Sequence, residues 1–165
     1  MGKLIAGWFT FTCCEDSTIL FTEILNHHWQ EWTKLIDFKY AKTLRKAAGI
    51  GPMDIAFVEG AISSDTQAEK LKKIRSLAKT LVAIGACAVT GQPSAQRNQF
   101  TPEQLEAIKP ILERFSYNDK VQRLDEVVKV DYSVPGCPMD EAKFIELINK
   151  LVSEGAQISG AQDVA

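Results

Sequence analysis

Short apolar segments rich in β-forming residues alternate along this chain with longer segments of helical spacing. Residues 3–11 and 53–58 are apolar and of strand length, whereas residues 65–78 carry apolar side chains at intervals of three and four. Such alternation is typical of parallel sheets, because two parallel neighbouring strands must be joined by a crossover, which is usually a helix. We therefore predict an α/β fold with a mostly parallel sheet and helices on both faces.

The remaining predicted elements follow the same alternation. A helix is expected from Asp16 or Ser17, either of which can cap it, to about Trp32. Pro110 is expected to break or restart a later helix. The other strands are predicted at residues 35–38, 80–84 and 127–130, and the other helices begin near residues 101 and 140, with Ser63 or Ser64 as the cap of the helix at 65–78.

Length and composition indicate one ordinary globular domain. The chain has 165 residues, a net charge of −2 and 45% hydrophobic residues, so we expect a single domain over residues 1–165 with a frayed tail from about residue 153. Basic residues are dispersed, which argues against a nucleic-acid partner. Without a long apolar run or a signal-peptide pattern, we expect no membrane span and a cytoplasmic location.

Four cysteines follow the predicted strands. Cys13 and Cys14 are adjacent after the first strand, Cys87 follows the strand at 80–84, and Cys137 lies in a Pro-Gly-Cys-Pro turn after the last strand. The carboxyl ends of parallel strands meet at one edge of a sheet, so the four thiols are expected to converge there. Four thiolates are the ligand set of an iron–sulfur cluster or a structural zinc, and the lack of a C-x-x-C knuckle favours iron–sulfur. Four unrelated buried cysteines are the alternative.

Other polar residues carry weaker predictions. Glu15 and Glu59, at the same predicted edge, are candidates for a proton relay, although a solvated acid and a hydrogen-bonded structural carboxylate explain them equally well. His27 and His28 are expected at the surface or in packing contacts, and Arg97 in an exposed loop. The hydroxyl-rich turn at residues 10–18 leaves open a flavin-binding, flavodoxin-like domain, because hydroxyls at a helix start can cradle a phosphate.

Three segments, with the cysteine pair, resemble one known family. Residues 57–61 (FVEGA), 84–88 (IGACA) and 134–138 (VPGCP) resemble the small subunit of nickel–iron hydrogenases and the homologous 20-kDa subunit of respiratory complex I. With the pair they occur in the family's order, and the resemblance covers residues 3 to 150. The stretches at 91–98 and 130–132 look most like soluble cytoplasmic hydrogenases of the NAD(P)-linked or sulfur-reducing types.

This resemblance implies a flavodoxin-like domain with one proximal 4Fe–4S cluster held by Cys13, Cys14, Cys87 and Cys137. It implies a nickel–iron large subunit as partner, a further iron–sulfur or flavin carrier, and a position of Glu59 near the large-subunit interface. The chain would then be a non-autonomous part of an oxidoreductase. The tandem pair departs from the usual C-x-G-C of hydrogenases and matches the complex I subunit, so a complex I-like subunit is an alternative, as is a non-catalytic sensor or scaffold.

Overall fold

The five strands of this chain form one sheet, in a computed structural model that describes residues 2–46 and 49–160, with side chains up to residue 155. The strands are β1 (Leu4–Thr10), β2 (Ile36–Ala41), β3 (Met53–Glu59), β4 (Ala78–Ile84) and β5 (Tyr132–Val134). They lie in the order β2-β1-β3-β4-β5, and every pairing is parallel. The predicted α/β class is therefore confirmed.

Helices cover both faces of the sheet, as predicted. They are α1 (Asp16–Leu35), α2 (Asp65–Leu77), α3 (Gly85–Thr90), α4 (Pro102–Arg114) and α5 (Glu141–Gly160). Helices α1 and α5 contribute side chains to the core on one face, and α2 contributes to the core on the other. This is the flavodoxin-like arrangement. Among the described residues, no helix combines the length and the apolar character that crossing a bilayer requires.

The strands are nearly all apolar because both faces of the sheet are buried. Neighbouring residues of β1 point to opposite faces: Trp8 packs with α1 and α5, and Phe9 packs with α2. The Trp8 ring stacks on Phe21 of α1 at 4.2 Å and meets Phe144 of α5 edge-on at 6.0 Å. These contacts pack α1 and α5 against β1.

The last predicted strand is misplaced. Residues 127–130 form a turn after the short 3-10 helix Leu124–Glu126, and the strand itself is Tyr132–Val134. The apolar residues of this turn, Val127, Val128 and Val130, pack at the margin of the α2-side core without joining the sheet. Their backbone is held locally, since the N–H groups of Val127 and Val128 both donate to the carbonyl of Leu124.

Helix boundaries agree in part with the sequence. Ser64 caps α2 and Thr101 caps α4 as expected, but neither Asp16 nor Ser17 caps α1. Its N-cap is Glu15, in the left-handed conformation at φ 66° and without a side-chain cap bond. Helix α4 also continues through Pro110. Proline cannot donate a hydrogen bond to the carbonyl of Glu106, but that carbonyl lies on an exposed turn and can bind water.

The single domain with a tail that frays from about residue 153 stays a prediction. Helix α5 runs on to Gly160, and residues 161–165 of the expected tail lie outside the described residues. Phe144, Ile148 and Leu151 of this helix are buried in the core.

Asp131 joins the start of β5 to β4 and α2. Its carboxylate accepts a hydrogen bond from the Leu81 N–H at 2.9 Å and pairs with Arg75 at 2.9 Å and Lys129 at 3.3 Å. Partial desolvation opposes ionisation, but the Leu81 hydrogen bond and the two cations outweigh it and lower the pKa of Asp131.

Replacing Asp131 with asparagine is expected to lower the free energy of unfolding at neutral pH by about 1–2 kcal/mol, because charge-assisted hydrogen bonds are lost. A carboxyl whose pKa is lowered on folding stabilises the fold above its ordinary pKa and ceases to do so as pH falls through the lowered value. Urea unfolding at several pH values should show the difference between the two proteins shrinking below about pH 4. A difference that does not change with pH would contradict this role.

Candidate metal centre

All four cysteines lie at the carboxyl edge of the sheet. Cys13 and Cys14 follow β1, Cys87 lies in the first turn of α3 directly after β4, and Cys137 follows β5. The topology alone brings these loops together, since β1, β3, β4 and β5 run in the same direction side by side. The cysteines therefore lie at strand ends, as predicted.

The sulfur atoms form one group with a buried and an exposed side. The Sγ atoms of Cys14 and Cys137 and a carboxylate oxygen of Asp16 all lie within 4.8 Å of one another, and these three residues are exposed. Cys87 is only 6% exposed, and Cys13 packs against the small apolar cluster that contains it. The four thiols are free, without a disulfide.

The pKa of the Cys13 thiol depends on burial and on the charges of its neighbours, which include other cysteines of the group. The pKa of the Cys13 thiol is raised to about 12, mainly by burial and also by the Glu59 carboxylate and the sulfurs of Cys87 and Cys14, against the Glu15 N–H, which lowers it. Several thiolates cannot share such a site without a compensating positive charge. A metal centre supplies that charge, so four soft sulfur donors at this density fit an iron–sulfur centre or zinc.

Hydrogen bonds tie the three cysteine loops together. The Ala86 N–H donates to the Gly136 carbonyl at 2.7 Å, which joins the Cys87 loop to the Cys137 loop. The Met139 N–H donates to the Ser17 hydroxyl at 3.2 Å, which joins the Cys137 loop to the first turn of α1. A Cβ atom on Gly85 would lie 3.0 Å from the Ser17 hydroxyl oxygen, so glycine permits this close approach.

Ser94 is a residue of the site that sequence reasoning missed. Its hydroxyl oxygen lies 3.2 Å from Cys87 Sγ and 3.0 Å from the carbonyl oxygen of Thr12, so it can donate to either. It belongs to the loop at 91–98, and the sequence signals were the family resemblance of that loop and the position of Ser94 seven residues after the cysteine. A hydroxyl donor to a ligand sulfur adjusts the electron density of that sulfur.

Glu59, buried at 3% exposure, anchors the first turn of α1. Its carboxylate accepts hydrogen bonds from the Ser17 N–H at 3.1 Å and from the Thr18 hydroxyl at 2.5 Å, and burial raises its pKa. These contacts give Glu59 the structural role that the sequence left open. Glu15 is exposed in its left-handed turn. A proton relay through Glu15 or Glu59 stays a prediction.

The hydroxyl groups of the first loop are already engaged by protein partners. The Thr18 hydroxyl binds Glu59, and the Thr12 hydroxyl lies 2.7 Å from that of Ser63 and 3.1 Å from the side-chain nitrogen of Gln67. Because the Thr12 and Thr18 hydroxyls point into the protein, this geometry does not favour the turn at residues 10–18 as a binding site for the phosphate of a flavin.

The histidine prediction is correct and the arginine prediction is wrong. His27 is exposed, and His28 stacks on Trp32 at 4.9 Å. Arg97 is half-buried and not an exposed loop residue, and its guanidinium donates to the carbonyl of Asn118 at 2.7 Å and to two further carbonyls. It holds the loop that carries Ser94 against the chain around residue 118.

Comparison with known proteins gives a family match over most of the chain. Residues 13–151 match the family described as NADH ubiquinone oxidoreductase, 20 Kd subunit. The delta subunit of the NAD-reducing hydrogenase HoxS of Cupriavidus necator is 33% identical over 117 residues, which is 60% of this chain and 55% of that protein. One subunit of the F420-non-reducing hydrogenase of Methanothermobacter marburgensis is 29% identical, in a match that covers 70% of this chain and 43% of that protein. The chain thus spans about half the length of the curated relatives it matches.

Solved structures give a similar result. A chain of an NAD+-reducing [NiFe]-hydrogenase in the H2-reduced state superimposes with a TM-score of 0.78 at 27% identity, covering 92% of this chain and 93% of that one. A chain of the Ni-Fe-Se hydrogenase of Desulfomicrobium baculatum gives a TM-score of 0.60 at 16% identity, with 98% and 65% covered, and supports the fold alone.

Proposed function

Because this chain belongs to the family of the 20-kDa subunit of NADH ubiquinone oxidoreductase, and its relatives include hydrogenase subunits, we propose that it is the electron-transfer small subunit of a nickel–iron hydrogenase. The observation that carries the proposal is the convergence of Cys13, Cys14, Cys87 and Cys137 at one edge of the sheet. The chain would serve an oxidoreductase as a subunit, with the hydrogen chemistry in its partner.

The four cysteines would hold one 4Fe–4S cluster. Bound by four thiolates, such a cluster gains and loses single electrons. Cys13 and Cys87 would bind its buried side, where the apolar cluster around Cys87 excludes water. Cys14 and Cys137 are exposed, so a partner subunit would approach the centre from their side.

The proposed partners are a nickel–iron large subunit and a further iron–sulfur or flavin carrier, in a cytoplasmic complex. The names of the relatives support this, since they are the delta subunit of an NAD-reducing hydrogenase and a subunit of an F420-non-reducing hydrogenase. One observation favours a second candidate: the tandem pair Cys13-Cys14 is the arrangement of the complex I subunit.

Purification of the native complex distinguishes the two candidates. The chain should be isolated under anaerobic conditions and its companions identified by mass spectrometry, with hydrogen-dependent dye reduction measured on the same sample. A companion with one C-x-x-C pair near each end, together with hydrogen-dependent activity, is the expected result. A companion without these pairs and a complex inactive with hydrogen would favour the complex I-like role.

Replacing Ser94 with alanine is expected to lower the reduction potential of the centre without removing it. A hydrogen bond to a ligand sulfur stabilises the reduced, more negative state, so its loss favours the oxidised state. A redox titration followed by electron paramagnetic resonance measures the shift. Ser76→Ala is the matched control, because that hydroxyl binds a backbone carbonyl on α2. An unchanged potential in Ser94→Ala would mean that the hydroxyl donates only to Thr12.

A further inference from the structure

The carboxyl edge of the sheet also has a cavity beside the ends of β1 and β2. It has a volume of about 490 Å³, compared with about 170 and 300 Å³ for two other cavities. Among the described residues, none of the four cysteines lines it, so it is separate from the metal centre. Its polar lining residues come from four segments and comprise Thr10, Glu15, Tyr40, Lys42, Thr43, Lys70 and Lys73.

Three of the lysines that line this cavity have no carboxylate partner among the described residues. In the part of the chain that the structure describes, no ion pair forms at Lys42, Lys70 or Lys73. The Lys70 ammonium lies 5.3 Å from the centre of the Phe11 ring. By contrast, Lys72 on the same helix pairs with Glu69 at 2.8 Å. Within the described lining the carboxylate of Glu15 is the one negative group, so the cavity has an excess of positive charge.

The remaining walls suit an organic ligand that carries the negative charge. Phe9 and Tyr40 contribute aromatic surface, and Thr43 contributes a hydroxyl group. Binding pockets combine apolar walls with a few polar groups, in volumes of roughly 300–1,000 Å³. In open parallel sheets, ligands bind beyond the carboxyl ends of the strands near the point where strand order reverses. Here that point lies at β1, which has β2 on one side and β3 on the other.

We propose that this cavity binds a ligand of mononucleotide size through its phosphate group. Lys42, Lys70 and Lys73 would bind the phosphate, since clustered cations in a concave site concentrate anions. The aromatic side would contact the planar ring of the ligand. The site is independent of the hydrogenase assignment, although Glu15 places it next to the loop of Cys13 and Cys14.

Calorimetric titration of the full chain tests the proposal, with AMP, FMN and inorganic phosphate as probes and adenosine and riboflavin as phosphate-free counterparts. At least one nucleotide is expected to bind about tenfold more tightly than its counterpart, and its affinity should fall as salt concentration rises. Binding of inorganic phosphate alone would restrict the site to the phosphate group and overturn the mononucleotide proposal. If neither nucleotide binds better than its counterpart, the proposal is also wrong.

Charge-removing variants locate the site. The double substitution Lys70→Gln and Lys73→Gln is expected to weaken nucleotide binding by about tenfold or more. Lys72→Gln is the control, because it removes one lysine charge from the same helix outside the cavity, where the double variant removes two inside it. All three side chains are exposed, so the fold should persist, which circular dichroism checks. Equal weakening by the control and the double variant would overturn the assignment to this cavity.

Discussion

Replacing Cys87 with alanine is expected to abolish the electron paramagnetic resonance signal of the reduced chain. The reason is that Cys87 is the most deeply buried of the four cysteines, at 6% exposure, among Ala61, Ala95 and Val121. Water cannot readily replace the missing sulfur in such an apolar setting. Loss of Cys14 or Cys137 is expected to be less complete, because both are exposed and the Asp16 carboxylate lies within 4.8 Å of them.

Ser94→Ala is the control for this experiment, since it changes a contact of Cys87 while leaving the ligand in place. The control should keep its signal and its iron. Circular dichroism must show that Cys87→Ala retains the fold, so that loss of the centre is not a consequence of unfolding. A folded Cys87→Ala variant with an intact signal would exclude Cys87 as a ligand.

Replacing Gly136 with alanine is expected to have the second largest effect, through the backbone of the Cys137 loop. Gly136 has φ 120°, and a Cβ atom there would lie 2.5 Å from the Pro138 carbonyl oxygen and 3.0 Å from the Asp140 nitrogen. The conformation alone costs an L-residue about 1–2 kcal/mol, and the collision with backbone adds to this. The loop must therefore move and take Cys137 with it.

Thermal unfolding and iron analysis measure the two parts of this effect. Gly136→Ala should unfold at a lower temperature and contain less iron per chain than the parent protein. Gly49→Ala is the matched control, because Gly49 has φ 121° but a Cβ atom added there would meet nothing within 4 Å, as far as the described residues go. The control should lose some stability and keep its iron. Equal iron content in the two variants would mean that the Cys137 loop does not set the geometry of the centre.

The fold could be predicted from sequence because its main determinants are local. Apolar segments of strand length and amphipathic helices alternate, and in a parallel sheet this alternation decides where each strand ends. The cysteines at 13, 14, 87 and 137 therefore fell at one edge without any knowledge of side-chain contacts. The misplaced strand shows the limit of the pattern, because Val127, Val128 and Val130 are apolar yet belong to a packed turn.

The finer parts of both sites depend on tertiary contacts that no local pattern encodes. Ser94 reaches Cys87 because the loop at 91–98 folds back, with Arg97 held by backbone carbonyls of a distant segment. The three lysines of the cavity come from the end of β2 and from α2, and only the sheet brings Lys42 near Lys70.

Iron and acid-labile sulfide analysis of the anaerobically purified chain, together with its visible spectrum, shows whether the four cysteines hold one 4Fe–4S cluster. About four iron and four sulfide per chain, with a broad brownish absorption, are expected. One zinc per chain without sulfide, or the two resolved absorption bands of a flavin without iron, would contradict the assignment of a 4Fe–4S cluster.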